Sequence, residues 1–553
     1  MRLDSYSEVK RLTSEMVAIP SINKEPDGES AVAQYVYDYF AGLDYFKEHP
    51  DYIKKFQTKD DFVSRHSTYA FVKGTKGKSN KTVILIGHID TVGVDDYTPI
   101  QEYAFKTEEL PQKLKETFDL SQEVLDDIES GEYMFGRGAL DMKSGVAGHM
   151  YLIKYFSEHT EELDGNILQI AECDEEDNSK GIITALDELV ELKKREGFEY
   201  IACINADYST NYSPGDEHRY IYYGSIGKLL PCFVAFGKEA HVGQAFSAFD
   251  PNLLIAEVTR NMSLNTDLCD IAQGEVAIPP ISLKQTDTKV GYTVQTALTA
   301  FSYYNYFTHG LGPGEVLQKC IDIGKKSFVD VIEYLNAQYR RFCELSKVNF
   351  TALPWAPRVY SWDEFYSELA EKHGKKFTDS LDAFARKLND EDPTLDMRLF
   401  SLKVAEEAWK WHEDKSPALV VFFGSVYSAR IEMTRKTEKE RDLLDAVESA
   451  VEKVRPESER LIKTRMFYPY ISDSSFMAVC DELSSVQAIE SNMPAWNYKY
   501  VHKTDKILEI NVPVVNIGTF GRDGHMLTER VDMKQTFRNV PNITYETVVE
   551  LLK

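Results

Sequence analysis

Hydrophobic positions in the first part of the chain follow two spacings that alternate. Spacings of three and four residues place apolar side chains on one face of a helix. Such helices are predicted over residues 6–18, 31–43 and 145–156. Short runs of apolar and β-branched residues are typical of strands buried on both faces of a sheet. Such strands are predicted over residues 81–86, 166–171 and 200–204. This alternation predicts an α/β fold.

The pattern changes in the middle of the chain and returns near its end. Antiparallel strands are predicted over residues 220–236, and residues 313–412 are rich in helix, charge and aromatic side chains. A last strand is predicted over residues 512–518. We therefore predict two domains, because an inserted domain lets the chain return to the first one. The catalytic domain comprises residues 1–228 and 436–553, and the inserted domain comprises residues 229–435 with an extra helical segment at about 313–415.

Composition narrows the class of protein. The 553 residues include 89 Asp+Glu and 63 Lys+Arg, a net charge of -26, which argues against nucleic acid as a partner. Seven cysteines without a Cys-x-x-Cys pair fit a reduced, cytoplasmic protein. The chain has no apolar run of about 18 residues, so we expect no membrane span. The polar start lacks the apolar run of a signal peptide.

Side chains that bind metal ions follow the predicted strands. Ligands in open α/β sheets collect at the carboxyl ends of strands, and five segments place imidazoles or carboxylates there or in tight turns. The segments are Gly87-His88-Ile89-Asp90, Gly138-Ala139-Leu140-Asp141, Asp174-Glu175-Glu176, Asn205-Ala206-Asp207 and Gly524-His525. Two imidazoles and several carboxylates are the ligands that a pair of divalent ions needs for hydrolysis.

Each segment also has an ordinary structural interpretation. His88 and Asp90 alone are more simply a capped histidine in a loop, and Asp141 alone is more simply a turn aspartate. Glu175 and Glu176 are more informative, since adjacent side chains at a strand end point in different directions. One of them can bind a metal ion while the other accepts a proton from a bound water. Five such segments in one chain are better explained by a single metal site than by five unrelated structural roles.

The motifs around these residues resemble those of the M20 family of metallopeptidases, which includes aminoacylases, deacetylases, carboxypeptidases and dipeptidases. The resemblance rests on five stretches, namely residues 87–92, 136–145, 174–176, 237–241 and 525–531. It implies a catalytic domain with a central mixed sheet flanked by helices and an inserted α+β lid domain with a helical extension.

The resemblance also implies the ligand set. His88, Asp141 and Asp207 would hold one zinc ion, and Asp141, Glu176 and His525 would hold the other. Asp141 would bridge the two ions.

Three further roles follow from the resemblance. A zinc-bound hydroxide would be the nucleophile with Glu175 as the general base, Asp90 would orient His88, and His241 would reach the substrate. Because the family often has a cis peptide bond after the bridging aspartate, we predict a cis Asp141–Met142 bond.

Two features depart from the family pattern. Relatives that bind a free α-carboxylate carry an Asn-x-x-Pro segment and a later arginine in the lid, and the stretch over residues 292–305 offers neither. His309, Arg430 and Arg358 remain alternatives for that arginine. The extra segment at about 313–415 is the second departure. In length and pattern the chain resembles the arginine-utilisation branch of the family.

These observations predict a metal-dependent hydrolase that cleaves an amide or peptide bond in a small amino-acid-derived substrate, in arginine catabolism if the branch is a guide. Two divalent ions, expected to be Zn²⁺, are its cofactors. We expect a small-molecule substrate, no nucleic acid, no membrane, and a monomer or a homodimer through the lid. The alternative is a binding or regulatory protein that keeps the fold without turnover. A metal-dependent phosphatase is a weaker third interpretation.

Overall fold

The computed structural model describes residues 3–25, 27–458 and 460–553. The chain forms two compact units. The first unit combines Met1–Ser225, Ile431–Val479 and Lys503–Lys553, and the second combines Ile226–Arg430 and Cys480–His502. No described helix has the length and apolar character required to span a membrane.

Helices occupy both units. In chain order they are α1 (Tyr6–Val17), α2 (Gly28–Ala41), α3 (Asp44–Glu48), α4 (Leu110–Thr117), α5 (Gln122–Ser130), α6 (Ser144–Glu158), α7 (Lys180–Glu196), α8 (Pro251–Met262), α9 (Pro313–Ser346), α10 (Trp362–His373), α11 (Lys375–Glu391), α12 (Met397–Trp411), α13 (Glu438–Val454), α14 (Leu483–Ser491), α15 (Thr504–Ile510) and α16 (Val540–Leu551).

Strands are mostly short. In chain order they are β1 (Ile53–Gln57), β2 (His66–Lys73), β3 (Lys81–His88), β4 (Tyr133–Phe135), β5 (Asn166–Glu172), β6 (Glu199–Asn205), β7 (Arg219–Ser225), β8 (Gly227–Leu229), β9 (Pro231–Phe236), β10 (Ile271–Ala272), β11 (Glu275–Val276), β12 (Ile281–Asp287), β13 (Thr299–Thr308), β14 (Val359–Ser361), β15 (Ala418–Phe423), β16 (Ile431–Glu432), β17 (Ile462–Arg465), β18 (Val514–Asn516), β19 (Gly521–Arg522) and β20 (Arg530–Asp532).

The first unit is built on a mixed sheet in the order β1-β2-β5-β3-β6-β18-β7-β16, with β17 beside β7. Its four central strands β5, β3, β6 and β18 run parallel. They are almost wholly buried, as expected for strands covered on both faces by helices. The predicted α/β fold with a central mixed sheet is confirmed. A small antiparallel sheet, β19-β20-β4, belongs to the same unit.

The second unit has its own sheet in the order β12-β13-β9-β15-β14, with β8 beside β13. Its pairings are antiparallel except for β14 with β15. The long helix α9 opens the helix-rich segment that the sequence predicted, and α10, α11 and α12 follow it. The stretch over residues 418–432 divides between the two units, since β15 joins the sheet of the second unit and β16 joins that of the first.

One segment of the second unit comes from near the chain's end. Cys480–His502 packs with residues of the second unit, whereas the sequence placed it in the catalytic domain. The side-chain Oδ1 of Asn492 accepts a hydrogen bond from the backbone N–H of Asp363 at 3.0 Å. Its backbone carbonyl accepts one from the N–H of Phe423 at 2.8 Å. Arg430 pairs with Asp481 at 3.1 Å. These polar contacts tie a late stretch of chain to the inserted unit, a connection that apolar periodicity does not encode.

Candidate metal centre

The central strands of the first unit bring four loops to one edge of the sheet. His88 at the end of β3 stands opposite Glu172 at the end of β5. Asn205 at the end of β6 stands opposite both Ile86 and Asn516. Because these strands are parallel, the residues that follow them emerge at the same edge.

Asp141 lies between the two imidazoles at this edge. Its Oδ1 is 2.9 Å from Nε2 of His88, and its Oδ2 is 2.8 Å from Nε2 of His525. The peptide bond from Asp141 to Met142 is cis, as predicted. Gly138 starts this turn at φ 81°, a conformation that favours glycine. One buried carboxylate thus faces both imidazoles.

The remaining predicted ligands gather around Asp141. Glu176 Oε1 lies 2.9 Å from Nε2 of His525, and Glu175 Oε2 lies 3.9 Å from Nε2 of His88. Within each of three groups of residues, the possible ligand atoms all lie within 4.8 Å of one another. They are His88–Asp141–Asp207, Asp141–Glu176–His525 and His88–Glu175–Glu176. The first two groups are the triads that the sequence predicted, and they share Asp141.

Asp90 connects His88 to the acidic turn after β5. Its Oδ1 lies 3.5 Å from Nδ1 of His88, and the same nitrogen lies 3.2 Å from the Asp90 carbonyl oxygen. The carboxylate also accepts the backbone N–H groups of Glu175 and Glu176 at 3.2 and 3.1 Å. Asp90 therefore contacts one imidazole and the backbone of the two neighbouring glutamates.

The electrostatics of the cluster favour bound positive charge. Burial alone would lower the pKa of His525, but hydrogen bonds to Asp141 and Glu176 raise the pKa to about 11. Burial and the nearby Asp141 carboxylate raise the pKa of Asp207 to about 7. Burial also raises the pKa of Glu175 well above its usual range, and Asp473 and Glu176 add to that rise. A raised pKa shows that the ionised carboxylate lacks compensating charge, so a cation among these groups would favour their ionised form.

Glu529 fixes the turn that carries Asp141, a role that the sequence did not predict. Its Oε1 accepts the backbone N–H groups of Gly138 at 2.9 Å, Leu140 at 3.2 Å and Asp141 at 3.4 Å. Its Oε2 accepts a 2.6 Å bond from Arg137. Glu529 is fully buried, so one carboxylate satisfies several backbone donors that would otherwise lack partners.

A buried ion cluster supports the turn with Glu175 and Glu176, and the sequence missed it too. Arg65 pairs with Asp174, with Asp61 at 3.0 Å and with Glu29 at 3.4 Å. Asn23 donates hydrogen bonds of 3.0 Å to both Asp174 and Asp90. The cluster links the turn to the strand-end residue Asp90. The acidic residues give no sequence signal that distinguishes them from the acidic surface.

The other predicted residues belong to the second unit. His241 is exposed, and its Nδ1 accepts the backbone N–H of Gly243 at 3.1 Å. Arg430 pairs with Asp481 at 3.1 Å, and Arg358 pairs with Asp414 at 3.3 Å. His309 is buried, with Nδ1 3.3 Å from the carbonyl oxygen of Glu275. All three alternatives for the absent lid arginine thus have partners in their own unit.

Comparisons with known proteins show which family model, relatives and fold the chain matches. A family model described as "Peptidase family M20/M25/M40" matches residues 84–489. Protein RocB of Bacillus subtilis (strain 168) is 32% identical over 551 residues, which cover 100% of this chain and 96% of RocB. Uncharacterized protein YqjN of the same organism is 31% identical over 560 residues, which cover 100% of this chain and 98% of YqjN. The crystal structure of a M20 family metallo-carboxypeptidase, Sso-CP2 from Sulfolobus solfataricus, covers 99% of both chains with a TM-score of 0.51 and 12% identity. This last similarity is one of fold.

Proposed function

Because the chain belongs to peptidase family M20/M25/M40, we propose that it hydrolyses an amide or peptide bond in a small amino-acid-derived substrate with the aid of two divalent metal ions. The position of Asp141 carries this proposal. Its two oxygens face two imidazoles at 2.9 and 2.8 Å, the arrangement that a carboxylate shared by two cations requires.

The donor set fits two zinc ions. His88, Asp141 and Asp207 would hold one ion, and Asp141, Glu176 and His525 would hold the other. Each triad offers imidazole nitrogen and carboxylate oxygen, which are ordinary zinc ligands. Asp141, Asp207 and Glu176 are buried or nearly so, and buried carboxylates need cationic partners.

Glu175 is the proposed general base. When bound, two divalent ions supply Lewis-acid activation of water and of the scissile carbonyl. Glu175 then accepts a proton from the attacking water and passes it to the leaving amine. Burial raises the pKa of Glu175 above its usual range, which makes its carboxylate a stronger proton acceptor.

Asp90 and His241 complete the proposed machinery. Asp90 holds Nδ1 of His88, which leaves Nε2 for a metal ion. In His241, Nδ1 accepts the N–H of Gly243, so the neutral ring carries its proton on Nε2. That N–H is a donor for the oxyanion that forms when the carbonyl is attacked.

The substrate proposal begins with arginine derivatives. The resemblance to the arginine-utilisation branch and the similarity to Protein RocB over the whole chain support this choice. The net charge of -26 favours a cationic substrate over an anionic one. We also propose that the protein acts in the cytoplasm, as a monomer or as a homodimer through its second unit.

Metal content and turnover test the proposal together. The protein is purified without chelator, and its metals are counted by mass spectrometry for the native chain, His88→Ala and Glu175→Ala. Hydrolysis is then measured on N-acyl amino acids and dipeptides, with N-acetyl-arginine and arginine dipeptides first. We expect about two zinc ions per native chain and fewer in His88→Ala. Glu175→Ala should keep its metals and lose roughly a hundred- to ten-thousandfold in turnover.

The controls separate the roles. Glu161, whose side chain is 69% exposed, provides a matched variant, Glu161→Ala, that should keep native turnover. Native turnover in Glu175→Ala would contradict its role as the base. If the protein binds metal but hydrolyses no compound of the panel, a binding protein is favoured. If it binds no metal even with added zinc, the proposal of a metal-dependent hydrolase is contradicted.

A further inference from the structure

His241 stands on a loop of the second unit that is closed at its base. Lys238 and Phe249 exchange backbone hydrogen bonds of 2.9 and 3.0 Å, and the chain between them forms the loop. Residues 241–245 of this loop are exposed. On one side the loop pairs with a neighbouring segment, since Val242 donates to the carbonyl of Val294 at 2.9 Å. The base is therefore fixed, while the imidazole stands near an exposed tip.

Helix α9 contacts this loop at two places. At the base, the ring of Phe249 stacks on Phe328 with centroids 5.1 Å apart. Near the tip, the ring of Phe246 lies 4.8 Å from Tyr339 and 5.4 Å from Phe342. From Phe328 to Tyr339 an α-helix rises about 16 Å. The loop thus follows α9 over several turns, and only a long helix reaches both ends of it.

The length of α9 therefore allows it to contact the His241 loop at both its base and its tip. The helix spans Pro313–Ser346 and is the first element of the segment that exceeds a simple lid. Its C-terminal half supplies the two rings that hold Phe246. Phe246 is the partly buried residue of the otherwise exposed stretch 241–247.

We propose that Phe246 is a positioning residue, which holds the His241 loop against Tyr339 and Phe342 of α9 and so fixes the direction in which the imidazole is presented. The inference rests on the proposed role of His241 in hydrolysis. It assigns to the extra helical segment a part in the reaction, exerted through the loop that carries His241.

Hydrogen exchange and kinetics test this together. The metal-loaded full chain is compared as native protein, Phe246→Ala, Phe246→Leu, His241→Ala and the double variant, using the compound of the panel that the native chain hydrolyses fastest. In Phe246→Ala we expect faster amide exchange over residues 239–248 and a kcat lower by roughly ten- to a hundredfold, with KM changed by less than about twofold. Phe246→Leu should recover most of the loss. In the His241→Ala background, Phe246→Ala should add no further loss.

Matched controls make the result specific. Tyr334 lies on the same helix and is 53% exposed, so Tyr334→Ala should change neither exchange nor turnover. An unchanged rate of amide exchange in Phe246→Ala would overturn the proposal. So would a loss of turnover from Phe246→Ala that is equal in the native chain and in the His241→Ala variant. Native turnover in His241→Ala would instead refute the role of His241 given above and the catalytic half of this proposal. The exchange measurement would still decide whether α9 holds the loop.

Discussion

At the scale of single residues, the geometry of the proposed metal centre depends on side chains outside the two proposed triads. Glu529 holds three backbone N–H groups of the turn that carries Asp141 and also pairs with Arg137. Burial raises the pKa of Glu529, Arg137 opposes that rise and Asp141 adds to it, and together they hold the pKa at about 7. If Asp141 binds metal as proposed, loss of a residue that holds its turn should weaken that binding.

We predict that Glu529→Gln weakens zinc binding by roughly ten- to a hundredfold. The amide removes the charge that pairs with Arg137 and offers an N–H₂ group where only acceptors fit. Zinc affinity is measured by competition with a chelator. Glu123, whose side chain is 61% exposed, provides the control Glu123→Gln, and equal affinities in all three proteins would contradict this role.

A second prediction at this scale concerns His149 on α6. It is buried, and neither ring nitrogen has a hydrogen-bond partner within the described part of the chain. Burial lowers its pKa to about 3, against about 6.5 in the unfolded chain. The unfolded state therefore binds more protons between these values, and His149 lowers the free energy of unfolding by up to about 1.4 kcal/mol per pH unit as pH falls from 6.5.

The variant His149→Leu removes this proton uptake. Its free energy of unfolding should fall less steeply than that of the native chain between pH 6.5 and about 4, because leucine does not titrate. Urea unfolding at several pH values measures both slopes. Parallel curves for the two proteins would show that His149 is not held neutral by its burial.

At the scale of elements, the turn after β5 is held by charge rather than by apolar packing. Arg65 is 1% exposed and stands among the carboxylates of Glu29, Asp61 and Asp174. A buried ion cluster contributes little net free energy when complete, because desolvation offsets attraction. Removal of one member of the cluster is costly, because the charges that remain buried then lack an opposite charge.

Arg65→Met should therefore lower the free energy of unfolding by about 3–5 kcal/mol and disturb the turn with Glu175 and Glu176. Urea denaturation measures the first effect, and metal content measures the second. Lys59 pairs with Asp187 and is 57% exposed, so Lys59→Met should change stability by less than about 1 kcal/mol. If Arg65→Met and Lys59→Met had equal free energies of unfolding, the cluster would stabilise the protein no more than an exposed ion pair does.

The elements of the site differ in how far the sequence predicted them. Strands β3, β5 and β6 were predicted because short apolar, β-branched runs are characteristic of strands buried on both faces, and the residues at or just after their ends include His88, Glu175 and Asp207. Glu529 gave no such signal, because its partners lie near residue 138 and distance along the chain hides the contact. The placement of Cys480–His502 in the second unit also depends on such distant contacts.

At the scale of the whole molecule, the first unit is assembled from three stretches of chain. The two proposed triads join residues 88, 141 and 207 to residue 525. Ions bound there would connect the first stretch to the last one, and a ligand that binds only the folded state stabilises it by mass action.

Zinc should therefore raise the free energy of unfolding of the native chain by about 2.7 kcal/mol at a concentration one hundred times its Kd. Urea unfolding with and without zinc, after removal of metal by chelation, measures the shift. His88→Ala and His525→Ala should each show a smaller shift, because each lacks a ligand. A shift of equal size in the variants would place the stabilising ion elsewhere.

The position of β18 has a consequence for how the protein is made. This strand lies between β6 and β7 in the sheet, yet it is synthesised long after both of them. At about 5–20 residues per second, the roughly 310 residues that separate β6 from β18 take roughly 15–60 s to synthesise. During that time β6 has an unpaired, apolar edge in the growing chain. The nascent protein should depend on chaperones in this interval, and a truncated product that ends before β18 should be recognised by its open sheet and degraded.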